Sequence, residues 1–388
     1  MNILFVCGSH LNCNSGIHIF NLANALVELG HDCAVCVPDR PEQTAALGAA
    51  RFKTLVLGQI DPGTDIFPGD TAVDLVHAWT PRENVRRATE ALVARFGCAY
   101  VVHLEDNEEH LTEVMVGRRL ADLARMPLDE LDRLIPPHLS HPVYSKRFLA
   151  RAAGVSVLLD ALLEFKPPAL PGCVFWPAAD RDLAWSMPPD SDFRNAIGVG
   201  AGEYVVAYTG NVHAANRREV ASLYLAVALL NRRRMRARLV RTGVDHVALF
   251  DTEGAKHVAP HVIELGFIPR SDIPKVLSIA DALVQPGRPD AFNDYRFPSK
   301  LPEFFSSGRQ VILPVANLGR YVEDGINCRL TRDGVATEIA RILEEVLPDE
   351  PVRRRIGSNA KAFADQHFSW LASARSVSGL YARIANRG

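Results

Sequence analysis

A chain of 388 residues exceeds one ordinary hydrophobic core and points to two domains, each able to bury a sizeable interior. With 48% hydrophobic and 23% charged residues and a formal net charge of −2, the composition excludes a disordered chain and gives no ground for a nucleic-acid binder. Seven cysteines, mostly inside apolar segments, suit a reducing compartment, and no apolar run approaches the roughly 20 residues of a membrane span, so a cytoplasmic protein is expected.

The opening MNILFVCGSH reads as a first strand, because a signal peptide would need a basic start and a longer apolar stretch. A Gly/Ser/Asn loop leads to IHIFNLANALVELG, where Ile19, Leu22, Ala23, Leu26 and Leu29 recur at helical spacing and Gly30 ends the helix. CAVCV, KTLVLG, DLVHAW and AYVVHLE follow as buried strands, with RENVRRATEALVARFG as a helix between the last two. Cys33 and Cys36 form a CxxC within a strand, where a spacing of three sends the side chains to opposite faces. A core role is therefore expected, and no second CxxC completes a zinc site. Residues 107–141 interrupt the rhythm with a polar, helix-prone insert, either a surface helical pair or an acceptor-binding element. YSKRFLARAAG and VSVLL then resume it.

The first domain is expected over 1–180 and a linker rich in Pro, Asp and Gly over 181–200. A second series over 201–365 contains strands EYVVAYTG, ARLVRTG, HVIELGF, DALVQPG and QVILPV, alternating with helices such as RREVASLYLAVALLNRRR and SDIPKVLSIA. From about Ser358 to Ile384 the chain reads as one or two amphipathic helices with no strand after it, and a C-terminal helix is expected over 366–388. Both series imply Rossmann-like, doubly wound parallel sheets.

Ligands of such sheets gather beyond the carboxyl ends of the strands. There Gly16 opens a helix, and Gly210 begins the loop YTGNVHAANRR, from which Arg217 or Arg218 can reach an anion or simply face solvent. In FPSKLPEFF, Ser299 is placed to cap a helix with Lys300 in its first turn, where a cation opposes the helix dipole unless a phosphate binds. Glu303 lies one turn further on the same face, suited to ribose or sugar hydroxyls. Glu105 and Asp106 end a strand as acid/base candidates beside His103, for which a core position is the plainer alternative. Asp180/Asp182 and Asp190/Asp192 have a metal-binding spacing but fall in the linker, where solvated turns are expected, so no metal is assigned. The basic run Arg232–Arg238 sits at a helix end, where it complements the dipole and needs no nucleic acid.

Taken in order, SGIHIFNLANALVELGHD, DLVHAW, VVHLEDNE, YTGNVH, VIELGFIPRSDIPKVLSIADALVQPG, FPSKLPEFFSSGRQVILP and HFSW resemble GT-B fold glycosyltransferases, most closely the retaining glycosyltransferase family four. The resemblance implies two tandem Rossmann-like domains facing across a cleft. It implies a nucleotide-sugar held mainly by the second domain, and a final helix that crosses back from HFSW. The activity implied is retaining transfer of a sugar to a hydroxyl of a glycan, lipid or small molecule, with domain closure excluding water. No metal or further cofactor is implied, and peripheral membrane contact is compatible with it. A nucleotide-sugar epimerase, or a transferase-like protein that only binds, are the alternatives on this architecture.

By position, Glu303 matches the second glutamate of the family's E-x7-E motif, and Tyr295 stands where the first would be. Gly16 matches the glycine loop. Asn211 replaces the arginine after the second domain's glycine, and Arg217 stands one step from the usual lysine, so Lys300 is expected to supply charge to the diphosphate. Glu105 replaces a histidine that contacts the donor sugar, with Asp106 at the matching acidic position. Phe267 and Ile268 fall where backbone meets the base, and Ser299 and Leu301 flank the lysine in the nucleotide-binding segment.

Overall fold

The computed structural model describes residues 1–60, 64–69 and 71–386, which form two compact units. Unit 1 comprises residues 1–177, 295–297 and 369–388, and unit 2 comprises 178–294 and 298–368.

Unit 1 is built on β1 (Asn2–Val6), β2 (Asp32–Val37), β3 (Lys53–Val56), β4 (Leu75–Trp79), β5 (Ala99–Leu104), β6 (Gly154–Val157) and β7 (Gly172–Val174). They pair in parallel in the order β3-β2-β1-β4-β5-β6-β7. The apolar runs seen in the sequence are buried on both faces: Ile3, Leu4, Phe5 and Val6 of β1 are fully enclosed. Each such side chain contributes roughly 1.5–3 kcal/mol of burial. Cys33 and Cys36 are buried free thiols of β2.

The helices of unit 1 begin with α1 (Asn14–Glu28), which buries Ile19, Leu22, Ala23 and Leu26 and ends at Leu29, with Gly30 in the left-handed region. α2 (Glu83–Phe96) joins β4 to β5. The insert folds as α3 (Glu108–Val116), α4 (Leu120–Leu123) and α5 (Leu128–Leu134), and α6 (Tyr144–Arg151) follows it. Leu123, Leu131, Ile135 and Leu139 give the insert a small core of its own. Its return limb is fastened to the start of α2, where Glu83 N donates to Leu139 O at 3.0 Å and Asn84 N to Pro137 O at 2.8 Å.

Unit 2 carries β8 (Tyr204–Thr209), β9 (Ala237–Thr242), β10 (Val262–Glu264), β11 (Ala282–Val284), β12 (Gln310–Pro314) and β13 (Arg329–Thr331), parallel in the order β10-β9-β8-β11-β12-β13. Its helices are α7 (Ser191–Ala196), α8 (Arg217–Arg232), α9 (Thr252–Val258), α10 (Ile273–Ser278), α11 (Leu301–Ser306), α12 (Ala336–Val346) and α13 (Glu350–His367). Asp190, read in the sequence as part of a linker turn, caps α7 by accepting from Phe193 N at 2.9 Å.

The last helix, α14 (Trp370–Ala385), belongs to unit 1 and packs on α1. His31 Nε2 meets Ser378 Oγ at 2.8 Å, and Ser373 Oγ donates to Trp176 O at 2.6 Å. The HFSW stretch is the break between α13 and α14, where Ser369 caps α14 by accepting from Ala372 N.

Both sheets reverse their order beside the first strand of the unit, at β1/β4 and at β8/β11. At such a reversal neighbouring loops diverge to opposite faces and leave a crevice at the carboxyl ends.

Candidate active site

In unit 1 the loops after β1, β4 and β5 converge at the reversal. Glu105, just past β5, is the central group. Ser15 Oγ donates to its Oε2 at 2.8 Å, Trp79 Nε1 donates to Oε1 in a short bond, and His18 Nδ1 lies 3.9 Å from Oε1. Burial pushes the Glu105 carboxyl up to about 8, the neighbouring Asp106 charge adds to this, and the two donors with Arg82 hold it back. Near neutrality Glu105 is a protonated acid. Asp106 is partly exposed and raised to about 6 by burial against the opposing field of Arg82, with Arg296 opposing it further. Arg82 lies 3.8 Å from Asp106 and 3.0 Å from Glu108, and the latter also accepts from Ser140 Oγ of the insert at 2.9 Å.

Gly16 is required by space. A Cβ there would lie 2.2 Å from Leu11 O, so only glycine lets the loop after β1 fold back on the start of α1. The Cys13 thiol caps that helix, accepting from Gly16 N at 3.4 Å. Ser15 is thereby aimed at Glu105.

His103 does not reach this surface. It is fully buried, 3.9 Å from the Trp79 ring centroid and stacked on Phe175, and its Nδ1 meets Ser156 Oγ at 2.8 Å. Ser156 Oγ also meets His77 Nε2, whose Nδ1 meets Tyr381 OH at 2.7 Å. Burial drives both imidazoles well below their usual range, so they are neutral elements of a core network. The plainer reading of His103 is the one that the structure favours, and it supports Trp79 from beneath.

In unit 2 the corresponding reversal brings together Gly210, after β8, and Lys300, before α11. Lys300 Nζ lies 3.4 Å from Tyr208 OH and 4.4 Å from that ring's centroid. A Cβ at Gly210 would sit 2.7 Å from this ammonium, so the glycine makes room for it. Contrary to the expectation from the sequence, α11 begins at Leu301, and Lys300 itself, in helical conformation, occupies the cap position expected for Ser299. Leu301 N bonds Pro298 O at 3.0 Å, which closes a turn and starts the helix one residue later. Leu301 is fully buried and anchors the segment.

Glu303 Oε1 meets Arg270 Nη2 at 2.9 Å, and Arg270 Nε reaches Asp180 Oδ2 at 3.5 Å while its guanidinium lies 5.7 Å from the Trp185 ring centroid. Burial raises Glu303 above the ordinary carboxylate range although Arg270 opposes the shift. Arg270 and Asp180 were not assigned to this site from the sequence. The arginine in GFIPRSD, four residues after the Gly266 turn, was the available signal.

Other expected donor contacts are less direct. Asn211 Oδ1 accepts from Val244 N at 2.8 Å, and its carbonyl accepts from Asn216 Nδ2, so this side chain laces two loops together. Arg217 and Arg218 begin α8 in exposed positions, and among the described residues Arg217 makes only a long bond to Leu249 O. Phe267 is 74% exposed and Ile268 half-buried in the loop after β10. Tyr295 belongs to unit 1, where its ring lies 5.4 Å from Phe165. The acidic residues just before it are engaged elsewhere: Asp290 accepts from Phe292 N and Asn293 N, and Asp294 pairs with Arg320 at 2.7 Å.

Arg241 escaped the sequence reading. It is almost fully buried at the end of β9, pairs with Asp245, lies 3.3 Å from Glu264 and 3.0 Å from Tyr224 OH, and reaches Gly210 O at 3.5 Å. Its guanidinium thereby lies beside the carbonyl of the glycine next to Lys300, at the outer limit of a hydrogen bond. A charged residue inside the apolar ARLVRTG was its trace in the sequence.

Among the described residues no cluster of three or more His, Cys, Asp or Glu side chains has the placement of a metal site. No helix among them is long and apolar enough to cross a membrane.

Residues 203–349 match the family described as glycosyl transferases group 1. Over the full chain the fold is similar to that of Anabaena HepE, solved with UDP-glucose, at 19% identity and a TM-score of 0.72, covering 99% of this chain and all of that one. Sucrose-phosphate synthase from Thermosynechococcus elongatus is similar at 17% identity and 0.71, covering 100% of both chains. WaaG, a glycosyltransferase of lipopolysaccharide biosynthesis, is similar at 15% and 0.63, covering 97% of this chain and 98% of that one. No curated protein matches. The chain thus has the two Rossmann-like units of the GT-B glycosyltransferase fold and carries a glycosyl transferases group 1 region over residues 203–349.

Proposed function

We propose that this protein is a retaining, metal-independent glycosyltransferase that moves a sugar from a nucleotide-sugar to a hydroxyl acceptor. The observation that carries the reading is the Lys300 ammonium beside Gly210, at the carboxyl end of β8 within the group 1 region. A diphosphate leaving group develops negative charge as the glycosidic bond opens, and a fixed ammonium stabilises that charge without moving a proton. Glu303, one turn on, is placed for the ribose hydroxyls once Arg270 yields or shares its carboxylate. HepE, similar in fold, was solved with UDP-glucose, which makes a uridine donor the first to test.

In unit 1, Asp106 accepts the proton of the acceptor hydroxyl, and protonated Glu105 donates a hydrogen bond to a sugar hydroxyl. Transfer with retention places the acceptor oxygen on the face that the diphosphate leaves. A thermal-shift screen over UDP-, GDP-, ADP- and TDP-sugars tests donor binding, and no stabilisation by any of them would overturn the proposal. NMR of the anomeric proton in the product tests the stereochemistry.

The reading as a protein that only binds draws on one observation, the occupation of Glu303 by Arg270. It predicts no nucleotide binding in calorimetry and no transfer.

A further inference from the structure

A cavity of about 300 Å³ opens beside Asp106. All of its lining residues belong to unit 1, and the insert between β5 and α6 builds one side of it with Glu108, Glu109, Leu120 and Ser140. Leu104, Leu120, Leu149 and Phe165 give it an apolar wall. The volume suits a ring or a short chain, at the low end of small-molecule sites.

The charges around the cavity are unequal. Four carboxylates line it, Asp106, Glu108, Glu109 and Glu164, against two ammonium groups, Lys146 and Lys166. Most are already matched. Lys146 pairs with Glu109 at 2.9 Å, Glu108 pairs with Arg82 at 3.0 Å, and Lys166 Nζ donates to the carbonyls of Pro167, Pro168 and Leu170 at 3.0, 3.2 and 2.7 Å. With its ammonium committed to carbonyls, Lys166 is poorly placed to receive an anion. Glu164 is exposed at the rim and has no ion-pair partner among the described residues. An anionic ligand would meet this residual negative field with no uncommitted cation on the wall.

We propose that this cavity holds the acceptor, and that the acceptor is a hydroxylated small molecule with an apolar body and no negative charge. The assignment rests on the transferase reading above and deepens it. The apolar body lies along Leu104, Leu120, Leu149 and Phe165, which brings its hydroxyl to Asp106. The rim carboxylate disfavours phosphate- or carboxylate-bearing acceptors, so the insert selects by charge as well as by shape.

Calorimetry on the full chain with three probes of one shape provides the test: 4-methylphenyl, 4-aminomethylphenyl and 4-carboxyphenyl β-glucosides. The neutral and amine probes are expected to bind at least about fivefold more tightly than the carboxylate. Glu164→Lys is expected to narrow or invert that ratio, with an unchanged unfolding temperature as the control for folding. Equal or tighter binding of the carboxylate, no binding of any probe, or a ratio unmoved by Glu164→Lys each overturns the proposal. UDP titrated into the same samples keeps the two readings apart. Nucleotide binding with the wrong probe ranking overturns the cavity assignment alone, whereas the expected ranking without nucleotide binding overturns the transferase reading and, with it, the acceptor role of a cavity whose charge preference stands.

Discussion

Two carboxyls one peptide apart hold their protons over different ranges because burial raises both, while the Arg82 charge opposes that rise more strongly at Asp106 than at Glu105. Glu105 lies under Trp79 and Ser15, whereas Asp106 is partly exposed near two arginines, and the pair loses its protons near 6 and near 8. If Asp106 must be ionised and Glu105 protonated, kcat/KM rises with pH through about 6 and falls through about 8. Glu105→Gln should remove the alkaline limb and keep the acid one, and a profile unchanged by that substitution would remove Glu105 from the mechanism. The same carboxyl also affects stability. Its folded value lies above its unfolded one, so its favourable contribution is complete below the ordinary glutamate range and is lost as pH rises towards about 8. Denaturant titrations of wild type and Glu105→Gln between pH 5 and pH 9 should therefore diverge, with wild type losing stability relative to the variant from pH 5 up to about 8 and no further above it.

At the scale of elements, the βα alternation was legible because doubly buried parallel strands are continuous apolar runs and their helices carry one apolar stripe. The contribution of Gly16 to the site was legible for a similar reason, since a glycine at a strand-to-helix junction commonly marks a close backbone approach. Gly16→Val would drive a side chain into Leu11 O, and the loop would have to shift. We expect a loss of about 1–3 kcal/mol in chemical denaturation together with a drop in activity, since Ser15 moves with the loop. Arg241, Arg270 and Asp180 were not legible as site residues, because, Asp245 apart, their partners lie far off in sequence. Arg241 meets Tyr224 from α8, and Arg270 joins the loop after β10 to α11. Burial likewise settled His103, which no strand pattern could assign to a face without knowing what covers it. Arg241→Met should leave β9 in place but release the Gly210 carbonyl, weakening nucleotide diphosphate binding by roughly tenfold, about the effect of one lost charge-assisted hydrogen bond. Unchanged affinity would show that the loop after β8 holds its shape without the arginine.

For the whole molecule, the tandem Rossmann-like pattern was readable from 388 residues because each half repeats the same grammar of short apolar strand, glycine-bearing loop and amphipathic helix. The chain path was harder to read. Residues 295–297 belong to unit 1 although the chain on both sides of them belongs to unit 2, which places Tyr295 against Phe165 and the Phe297 ring 6.0 Å from Trp176. A sequence alignment by motif puts Tyr295 in the position of a donor-binding glutamate, but only packing shows which unit it joins. The proposed donor site therefore depends most on Lys300, where the ring of Tyr208 and the absence of a side chain at Gly210 leave the ammonium in place. Calorimetric titration of UDP and uridine into wild type and Lys300→Ala tests this most directly. The account predicts that the substitution weakens UDP by about 10- to 100-fold, the effect of one charge-assisted contact to phosphate, and leaves uridine nearly unchanged. Equal weakening of both ligands, or no binding of UDP by the wild-type protein, would contradict it.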